Sequence, residues 1–221
     1  MSQPVDHVPE DANIVSCRWI FQYKRKDKGK IIKRKARLVT RGFTQQVGVD
    51  YFDTYSPIFK QDSLRIITSI ASQNGFTIKQ IDINTAYLNA DLTEDIYVKA
   101  PESFNKENKP YWKLKKALYG LKQSGKAWNN KLNDILIKNY FQRLICDPWV
   151  YKKEDQNKNI MYPSSIRWWY PITGVEKEIT KTKQLINKFF EIKDIEDADF
   201  IIGIKFQKHN NGFLLQQKYY I

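Results

Sequence analysis

A helix pattern that runs directly into a strand pattern is the feature that most limits how this chain can fold. Residues 61–75, QDSLRIITSIASQNG, repeat apolar side chains at the spacing of one helix face, with Asp62 or Ser63 as the N-cap and Gly75 as the end. Residues 77–83, TIKQIDI, then predict a strand. Helices mixed with hairpins along the rest of the chain favour the α+β class.

One acid has an unusual position in that strand. Asp82 stands between Ile81 and Ile83, although strands disfavour aspartate and burial of an unpaired carboxylate is costly. Taken alone, an aspartate of this kind is interpreted as an edge-strand residue that faces solvent.

The net charge of +13 is the strongest compositional signal in these 221 residues. Such a surface attracts polyanions, nucleic acid first among them, and the alternative is a solvated basic surface without a partner. Residues 17–43, CRWIFQYKRKDKGKIIKRKARLVTRGF, are dense in lysine and arginine and predict a hairpin. Trp19, Phe21 and Tyr23 alternate along its first strand.

The sequence lacks the residues that several classes of function require. Cys17 and Cys146, with His7 and His209, are too few and too scattered for a disulfide framework, a zinc site or a Ser–His–Asp triad. The sequence contains no Walker loop and no dinucleotide glycine signature. No apolar run reaches membrane-spanning length, so we expect no membrane partner. The polar N-terminus differs from a secretory signal, which predicts an intracellular location, cytoplasmic or nuclear.

The remaining segments predict a tail, two more helices and a final hairpin. Residues 1–12 predict a loose polar tail. Residues 129–141 and 175–195 have the apolar periodicity of amphipathic helices. The last hairpin is expected to turn at Asn211-Gly212, a favoured two-residue turn pair.

Six segments share their order and spacing with one known family. They are KARLVTRGFTQ, DYFDTYSPI, QIDINTAYLNADLTEDIYV, KLKKALYGLKQSGKAW, DPWVY and FIIGIKF. From about residue 14 to its end, the chain resembles the reverse transcriptase of copia-type long-terminal-repeat retrotransposons. The resemblance implies a right-hand polymerase with an antiparallel palm sheet backed by helices. It also implies an RNA or DNA template–primer and a deoxynucleoside triphosphate as partners.

The resemblance further implies a division into fingers and palm. The expected parts are a flexible tail (1–12), fingers (13–60), the first part of the palm (61–92), the second part of the fingers (93–126), and the second part of the palm (127–221), which ends before the thumb. In the family two magnesium ions serve the reaction, and the acid of the first palm strand, which binds both, matches Asp82. The carbonyl of Ile83 would bind the second ion.

Four further residues match nucleotide-binding positions of the family. Arg37 matches a fingers arginine that grips the triphosphate, and Lys35 is expected to help, because guanidinium and ammonium groups both bind phosphate. Tyr87 matches the aromatic residue beneath the incoming sugar, where its bulk excludes a 2′-hydroxyl. Gln123 matches a residue that contacts the incoming nucleotide. The alternative for Lys35 and Arg37 is a solvated hairpin, and the alternative for Tyr87 is a core position.

The match fails at the family's second acidic motif, usually Tyr-Val-Asp-Asp before an ITG-like stretch. ITG is present at residues 172–174, but Arg167, Trp168 and Trp169 occupy the approximate place of the acids. Two-metal phosphoryl transfer needs anionic oxygen ligands, which tryptophan and arginine do not supply. We therefore expect Asp82 to hold at most one weakly bound magnesium ion and the chain to be a degenerate, inactive copy.

We expect neither the replaced stretch nor the acids that flank it to substitute for the two absent aspartates. Pro163 and Pro171 bracket it, and proline is disfavoured in a central strand. The flanking acids are Glu154, Asp155, Glu176 and Glu178. They fall in a predicted turn or helix rather than at a hairpin tip that faces Asp82. A disrupted reading frame or a gene-model error would explain the replacement.

Two alternatives to an inactive polymerase stay open at this point. One is an active polymerase that uses other ligands or receives missing parts in trans. The other is a basic nucleic-acid-binding module without catalysis, in which aromatic side chains stack on bases. The candidates for such stacking are Trp19, Tyr23, Trp112 and Trp128.

Overall fold

The computed structural model describes most of the chain. It covers residues 2–25, 30–57, 59–101, 109–154, 160–163, 169–209 and 212–217, with the backbone alone at residues 160–163, 169 and 196. The helices are α1 (Gln61–Asn74), α2 (Ser124–Lys138) and α3 (Glu176–Asn187). The strands are β1 (Ser2–Val5), β2 (Ile14–Val15), β3 (Cys17–Arg25), β4 (Ile31–Thr40), β5 (Thr77–Ile83), β6 (Asp91–Lys99), β7 (Tyr111–Lys116), β8 (Gln142–Arg143), β9 (Tyr151–Glu154), β10 (Ile160–Pro163), β11 (Trp169–Gly174), β12 (Ile192–Asp197), β13 (Phe200–Ile201), β14 (Ile204–His209) and β15 (Gly212–Gln216).

The mixture of three helices and several sheets in the described residues is compatible with the predicted α+β class. Strand pairing is antiparallel throughout the described sheets except between β2 and β6. In the part of the chain that the structure covers, no helix is both long and apolar enough to cross a membrane.

The chain divides into two compact units. Unit 1 contains residues 1–56 and 87–131, and unit 2 contains residues 57–86 and 132–221. The identification of polymerase fingers and palm with particular residue ranges stays a prediction.

Unit 1 contains a four-stranded sheet and a separate two-stranded hairpin. The sheet has the order β1-β7-β6-β2, and the hairpin pairs β3 with β4. The apolar core of the sheet consists of Val15, Ile96, Val98, Leu114 and Leu121. The predicted basic hairpin is confirmed, with its tip at residues 26–29 outside the described residues.

The prediction of a loose tail at residues 1–12 is wrong for its first part. Ser2–Val5 forms β1, which pairs with β7 from Ser2 opposite Leu114 to Val5 opposite Tyr111. The free edge of β7 offers backbone donors and acceptors to any nearby strand. Composition alone does not reveal such a pairing because the partner is more than a hundred residues away.

Unit 2 is built on a six-stranded sheet. Its order is β12-β5-β11-β10-β9-β8, so β5 lies between β12 and β11. A second sheet contains β13, β14 and β15. Ile81 of β5, Ile172 of β11 and Ile186 of α3 are all completely or almost completely buried, which locates the core of this unit around the middle of the larger sheet.

Helix α1 confirms the predicted helix but not its predicted cap. Gly75 follows the helix with a φ of 64°, the left-handed conformation that ends helices. The N-cap is Lys60, whose own side chain makes no capping hydrogen bond, rather than Asp62 or Ser63. The N–H of Lys60 instead donates to Asp147 Oδ2 at 2.9 Å, a partner distant in sequence.

Helix α3 is shorter than the apolar pattern over residues 175–195 predicts. It spans Glu176–Asn187, and residues from Ile192 onward form β12 beside β5. The apolar spacing continues past the helix end, but the exposed edge of β5 recruits these residues into the sheet. Tertiary pairing therefore overrides local periodicity here.

Strand β11 forms although a proline lies within it. Pro171 stands opposite Gln80 of β5, and β11 has neighbouring strands on both sides. The expectation that proline would exclude a central strand here is wrong. Tyr170 and Ile172 are fully buried, and burial of each contributes about 1.5–3 kcal/mol, which offsets a missing ladder hydrogen bond.

The C-terminal hairpin is confirmed with a shifted turn. His209 of β14 pairs with Gly212 of β15, so Gly212 belongs to the strand rather than to the turn. Asn211, the other residue of the expected turn pair, lies outside the described residues.

Candidate functional site

Asp82 lies in a central strand rather than at a sheet edge. Strand β5 has β11 on one side and β12 on the other, which excludes the edge-strand interpretation. Asp82 is half-buried, while Ile81 and Ile83 beside it are buried. In the two ladders Asp82 stands opposite Trp169 and opposite Lys193.

The residues opposite Asp82 determine the chemistry available to it. Opposite residues in antiparallel strands belong to the same face of the sheet. The nearest ladder positions to the Asp82 carboxylate are therefore a tryptophan at 169 and a lysine at 193. Arg167 and Trp168 lie outside the described residues.

Of the four flanking acids, Glu176 is held at the far end of strand β5 from Asp82. Glu176 Oε2 accepts a hydrogen bond from Thr77 Oγ1 at 3.0 Å. Thr77 is five residues before Asp82 on the same strand, a separation of roughly 17 Å at strand rise. Asp155 lies outside the described residues.

The other two flanking acids form local ion pairs. Glu178 Oε1 lies 2.5 Å from Lys181 Nζ within α3. Glu154 Oε2 lies 3.2 Å from Lys152 Nζ on β9. Each of these carboxylates is thus paired with a lysine of its own helix or strand, and that neither acid substitutes for the expected aspartates stays a prediction.

A nearby acid on β12 belongs to the opposite face of the sheet. Asp194 stands opposite Ile81, one residue away from the ladder position of Asp82. Because side chains alternate between faces, Asp194 and Asp82 point to opposite sides. Both oxygens of Asp194 accept from Lys183 Nζ, at 2.8 and 2.7 Å.

These residues do not fit a two-magnesium site. Within the described ranges, no group of three or more His, Cys, Asp or Glu side chains is arranged to hold a metal ion. Magnesium prefers an octahedron of oxygen ligands. Tryptophan offers it no lone pair, and a lysine ammonium repels a cation.

The predicted phosphate-binding residues share one face of the hairpin. Lys35 and Arg37 are two positions apart on β4, so their side chains point the same way. Arg37 stands opposite Ile20, and Lys35 opposite Gln22. The Nη1 group of Arg37 donates to Gln22 Oε1 at 3.3 Å.

Gln123 is buried inside unit 1. Its side-chain Nε2 donates to the carbonyl of Asp50 at 2.7 Å, and its Oε1 accepts from Gln45 Nε2 at 3.0 Å. Only 2% of its surface is exposed. The amide that the family resemblance assigns to the nucleotide thus holds two chain segments together in this structure.

Sequence reasoning did not identify the partners of Gln123. Gln45 Oε1 also accepts from the N–H of Lys122 at 2.8 Å. Asp50 Oδ2 accepts from Asn13 Nδ2 at 2.6 Å and from the N–H of Gln46 at 2.7 Å. A buried polar network of this kind has no local sequence signal because its members are far apart in the chain.

Two glycines bring the same segments into backbone contact. A Cβ on Gly42 would lie 2.0 Å from the carbonyl oxygen of Gly120, and a Cβ on Gly120 would lie 2.0 Å from that of Thr40. The N–H of Thr40 also donates to the carbonyl of Tyr119 at 2.8 Å. The backbones of the segments TRGFTQ and LYGLKQ are therefore in close contact. The glycine in each segment is the sequence feature that indicates such a contact.

Tyr87 lies in a short 3-10 turn, Ala86–Asn89. It is half-buried, and its ring centroid is 4.8 Å from that of Tyr119 at an interplanar angle of 50°. Asp82 and Ile83 are neighbours in unit 2, while Lys35, Arg37, Tyr87 and Gln123 belong to unit 1. That these six residues form one site stays a prediction.

The chain matches a known family along almost its full length. The model of a family described as reverse transcriptase (RNA-dependent DNA polymerase) matches residues 3–221. The retrovirus-related Pol polyprotein from transposon RE1 of Arabidopsis thaliana is 35% identical over 216 residues, which is 96% of this chain. The corresponding polyprotein from transposon TNT 1-94 of Nicotiana tabacum is 33% identical over 222 residues, again 96% of this chain.

A yeast relative matches a smaller part of the chain. The transposon Ty1-ER2 Gag-Pol polyprotein of Saccharomyces cerevisiae is 37% identical over 130 residues, or 57% of this chain. The chain spans 15% of the Arabidopsis relative and 16% of the tobacco relative.

Proposed function

Because this chain belongs to the reverse transcriptase (RNA-dependent DNA polymerase) family of copia-type retrotransposons, we propose that it is a fingers-and-palm domain that binds nucleic acid without synthesising DNA. The family relationship supports a template–primer as the natural ligand. The loss of catalysis is a property of this chain's own residues.

The ladder around Asp82 carries the proposal of inactivity. In this family the reaction uses magnesium, yet Asp82 stands between Trp169 and Lys193. Loss of metal-borne charge stabilisation amounts to several kcal/mol, which lowers a rate by roughly three or more powers of ten. No step of nucleotide transfer through these residues follows from the structure.

The hairpin of β3 and β4 supports retained binding to nucleic acid. Arg18, Lys24, Lys33, Lys35 and Arg37 belong to one face of it, according to the alternation along each strand and the register between them. We name these five residues the basic face. Their charges would neutralise phosphates and release counterions, so the affinity should fall steeply as salt rises. Lys35 and Arg37 are also our candidates for contact with a nucleotide triphosphate.

Primer extension with magnesium tests the proposed inactivity. The unchanged chain and Asp82→Asn are assayed on the same RNA and DNA templates, beside an active reverse transcriptase as positive control. We expect the two chains to give the same background signal. Extension by the unchanged chain that Asp82→Asn abolishes would show that the palm is active.

Salt titration tests the proposed binding. The affinity for a labelled oligonucleotide is measured by fluorescence anisotropy between about 50 and 200 mM salt, where several phosphate contacts change affinity by orders of magnitude. We expect the logarithm of the association constant to fall steeply and linearly with the logarithm of the salt concentration. The slope should be shallower for the double variant Lys24→Gln/Lys33→Gln. A salt-independent affinity would contradict the proposal.

A further inference from the structure

Unit 2 contains a cavity that the proposed function does not use. Its volume is about 180 Å³, and residues from the start of β5, the end of β12 and strands β14 and β15 line it. On β5 the lining residues are Thr77 and Ile78, whereas Asp82 lies near the other end of that strand. The cavity is therefore separate from the residues around Asp82.

Part of the cavity wall is apolar and includes two phenyl rings. Phe206 and Lys208 are two residues apart on β14, and Phe213 of β15 stands opposite Lys208, so all three belong to one face of that sheet. Phe206 and Ile78 are buried, and Phe213 is partly buried. Because an apolar cavity of roughly 150 Å³ is enough to bind benzene, the volume suits a ligand with one aromatic ring.

Two exposed side chains of opposite charge also line the cavity. Asp199 and Lys208 are both exposed, and among the described residues neither forms an ion pair. The third charged lining residue, Asp197, is paired, because its Oδ1 lies 3.0 Å from Lys79 Nζ. A carboxylate and an ammonium group thus remain available, and a ligand that has both charges complements them.

Backbone hydrogen bonds hold the acidic side of the cavity in place. The N–H of Ala198 donates to the carbonyl of Ile78 at 3.3 Å, and the N–H of Phe206 donates to the carbonyl of Asp199 at 2.7 Å. These bonds connect the segment after β12 to β5 and to β14. A cavity whose walls are fixed beforehand costs less ordering when a ligand binds.

We propose that this cavity binds a small zwitterion with one aromatic ring, which is the chemistry of an aromatic α-amino acid. The ring packs against Phe206 and Phe213, the ammonium group pairs with Asp199, and the carboxylate pairs with Lys208. This inference is independent of the proposed binding to nucleic acid.

Titration of the full chain with three related probes tests the inference. The probes are phenylalanine, phenylethylamine, which lacks the carboxylate, and phenylpropionate, which lacks the ammonium group. Amide chemical shifts measured by NMR give both the affinity and the location. We expect saturable shifts centred on Ile78, Phe206 and Phe213. Each analogue should bind about 2- to 5-fold more weakly than phenylalanine, the range for loss of one exposed ion pair.

Single charge changes should separate the two head groups. Asp199→Asn should weaken phenylalanine and phenylethylamine by about 2- to 5-fold and leave phenylpropionate unchanged, and Lys208→Gln should weaken phenylalanine and phenylpropionate instead. Lys205→Gln is the matched control, because Lys205 is on the same strand but on its other face. It should change the affinity for none of the probes.

Removal of one ring should affect all three probes equally. Phe213→Ala should weaken each by about 2- to 10-fold, the range for an aromatic pair. Phe189→Ala is the control, because Phe189 is also in unit 2, is 49% exposed and does not line the cavity.

The comparison of probes on the unchanged chain does not depend on the folding of any variant. Absence of saturable shifts around the cavity at millimolar phenylalanine would overturn the proposed site. Equal affinities for the three probes would overturn the proposed zwitterion. Equal losses in Lys205→Gln and Lys208→Gln would do the same. None of these outcomes bears on the binding of nucleic acid, which the titrations do not contain.

Discussion

Trp169 stands directly opposite Asp82 in the antiparallel ladder between β11 and β5. A tryptophan side chain has no oxygen with which to bind a metal ion. Asp194, the adjacent acid on β12, pairs with Lys183 and belongs to the other face. Neither residue opposite Asp82 in the two described ladders is therefore an acid.

Placing an acid opposite Asp82 should create a metal site. We expect Trp169→Asp to gain a magnesium-dependent rise in melting temperature, because carboxylates that repel one another are stabilised by a shared cation. Differential scanning fluorimetry over a magnesium series measures this. The same variant with Asp82→Asn is the control and should lose the rise. An equal magnesium response in the unchanged chain would contradict the argument.

Removal of the Tyr170 hydroxyl should stabilise unit 2. The hydroxyl is buried without a hydrogen-bond partner among the described residues, and burial raises the pKa of Tyr170 well above its ordinary value. An unsatisfied buried polar group costs about 1–3 kcal/mol. We expect Tyr170→Phe to raise the free energy of unfolding in urea by about 1 kcal/mol or more.

Tyr151→Phe is the matched control for that change. Tyr151 is also buried, with its pKa raised to about 12 mainly by desolvation, but its hydroxyl donates to Asn133 Oδ1 at 3.1 Å. We expect this variant to lose about 1 kcal/mol of stability. Equal effects of the two variants would show that the hydroxyl of Tyr170 has a partner in solution.

The contributions of Gln45 and Gln123 to stability should be coupled. Each single change to alanine leaves a buried amide without its partner, so we expect each to destabilise unit 1 by about 1–3 kcal/mol. The double variant should cost less than the sum of the single variants, with a coupling energy of at least about 0.5 kcal/mol. Urea unfolding of the four chains of the cycle measures the coupling. Strict additivity would mean that the hydrogen bond between the amides contributes nothing.

Gly120→Ala should be among the most damaging single changes. Gly120 has a φ of +98°, and a Cβ there would lie 2.0 Å from the backbone oxygen of Thr40. Strain and overlap together should cost at least about 3 kcal/mol in thermal or urea unfolding. Gly75→Ala is the comparison, because Gly75 also has a positive φ but has no atom within 4 Å of the added Cβ. It should cost only about 1–2 kcal/mol.

Asp91 should stabilise unit 1 only above acidic pH. Hydrogen bonds from Lys116 and then Lys131 lower the pKa of Asp91 below its ordinary value of 3.8. A lowered pKa in the folded state gives stability that is present above the ordinary pKa and disappears as pH falls through the folded-state value. The unchanged chain should therefore have a slightly higher urea midpoint than Asp91→Asn at pH 7. The difference should be small because Asp91 and its two lysines are largely exposed, and it should disappear in strong acid. A difference in urea midpoint that persists in strong acid would show that the hydrogen bonds from the two lysines are not its cause.

Local patterns determined much of this protein from sequence alone. The helix ending at Gly75, the strand of Asp82 and the basic hairpin all follow from apolar spacing, turn residues and charge, because the physical preferences responsible act between residues close in the chain. Family membership was likewise readable, since six motifs kept their order.

Only the tertiary structure decided which distant residues meet. The pairing of β1 with β7, the formation of β12 by residues from Ile192 onward and the burial of Gln123 against Gln45 depend on partners far apart in sequence. The identity of the residues opposite Asp82 depends on strand register, in which a shift of one residue exchanges the two faces. Register arises from the summed packing of a whole sheet, and no single stretch of sequence contains it.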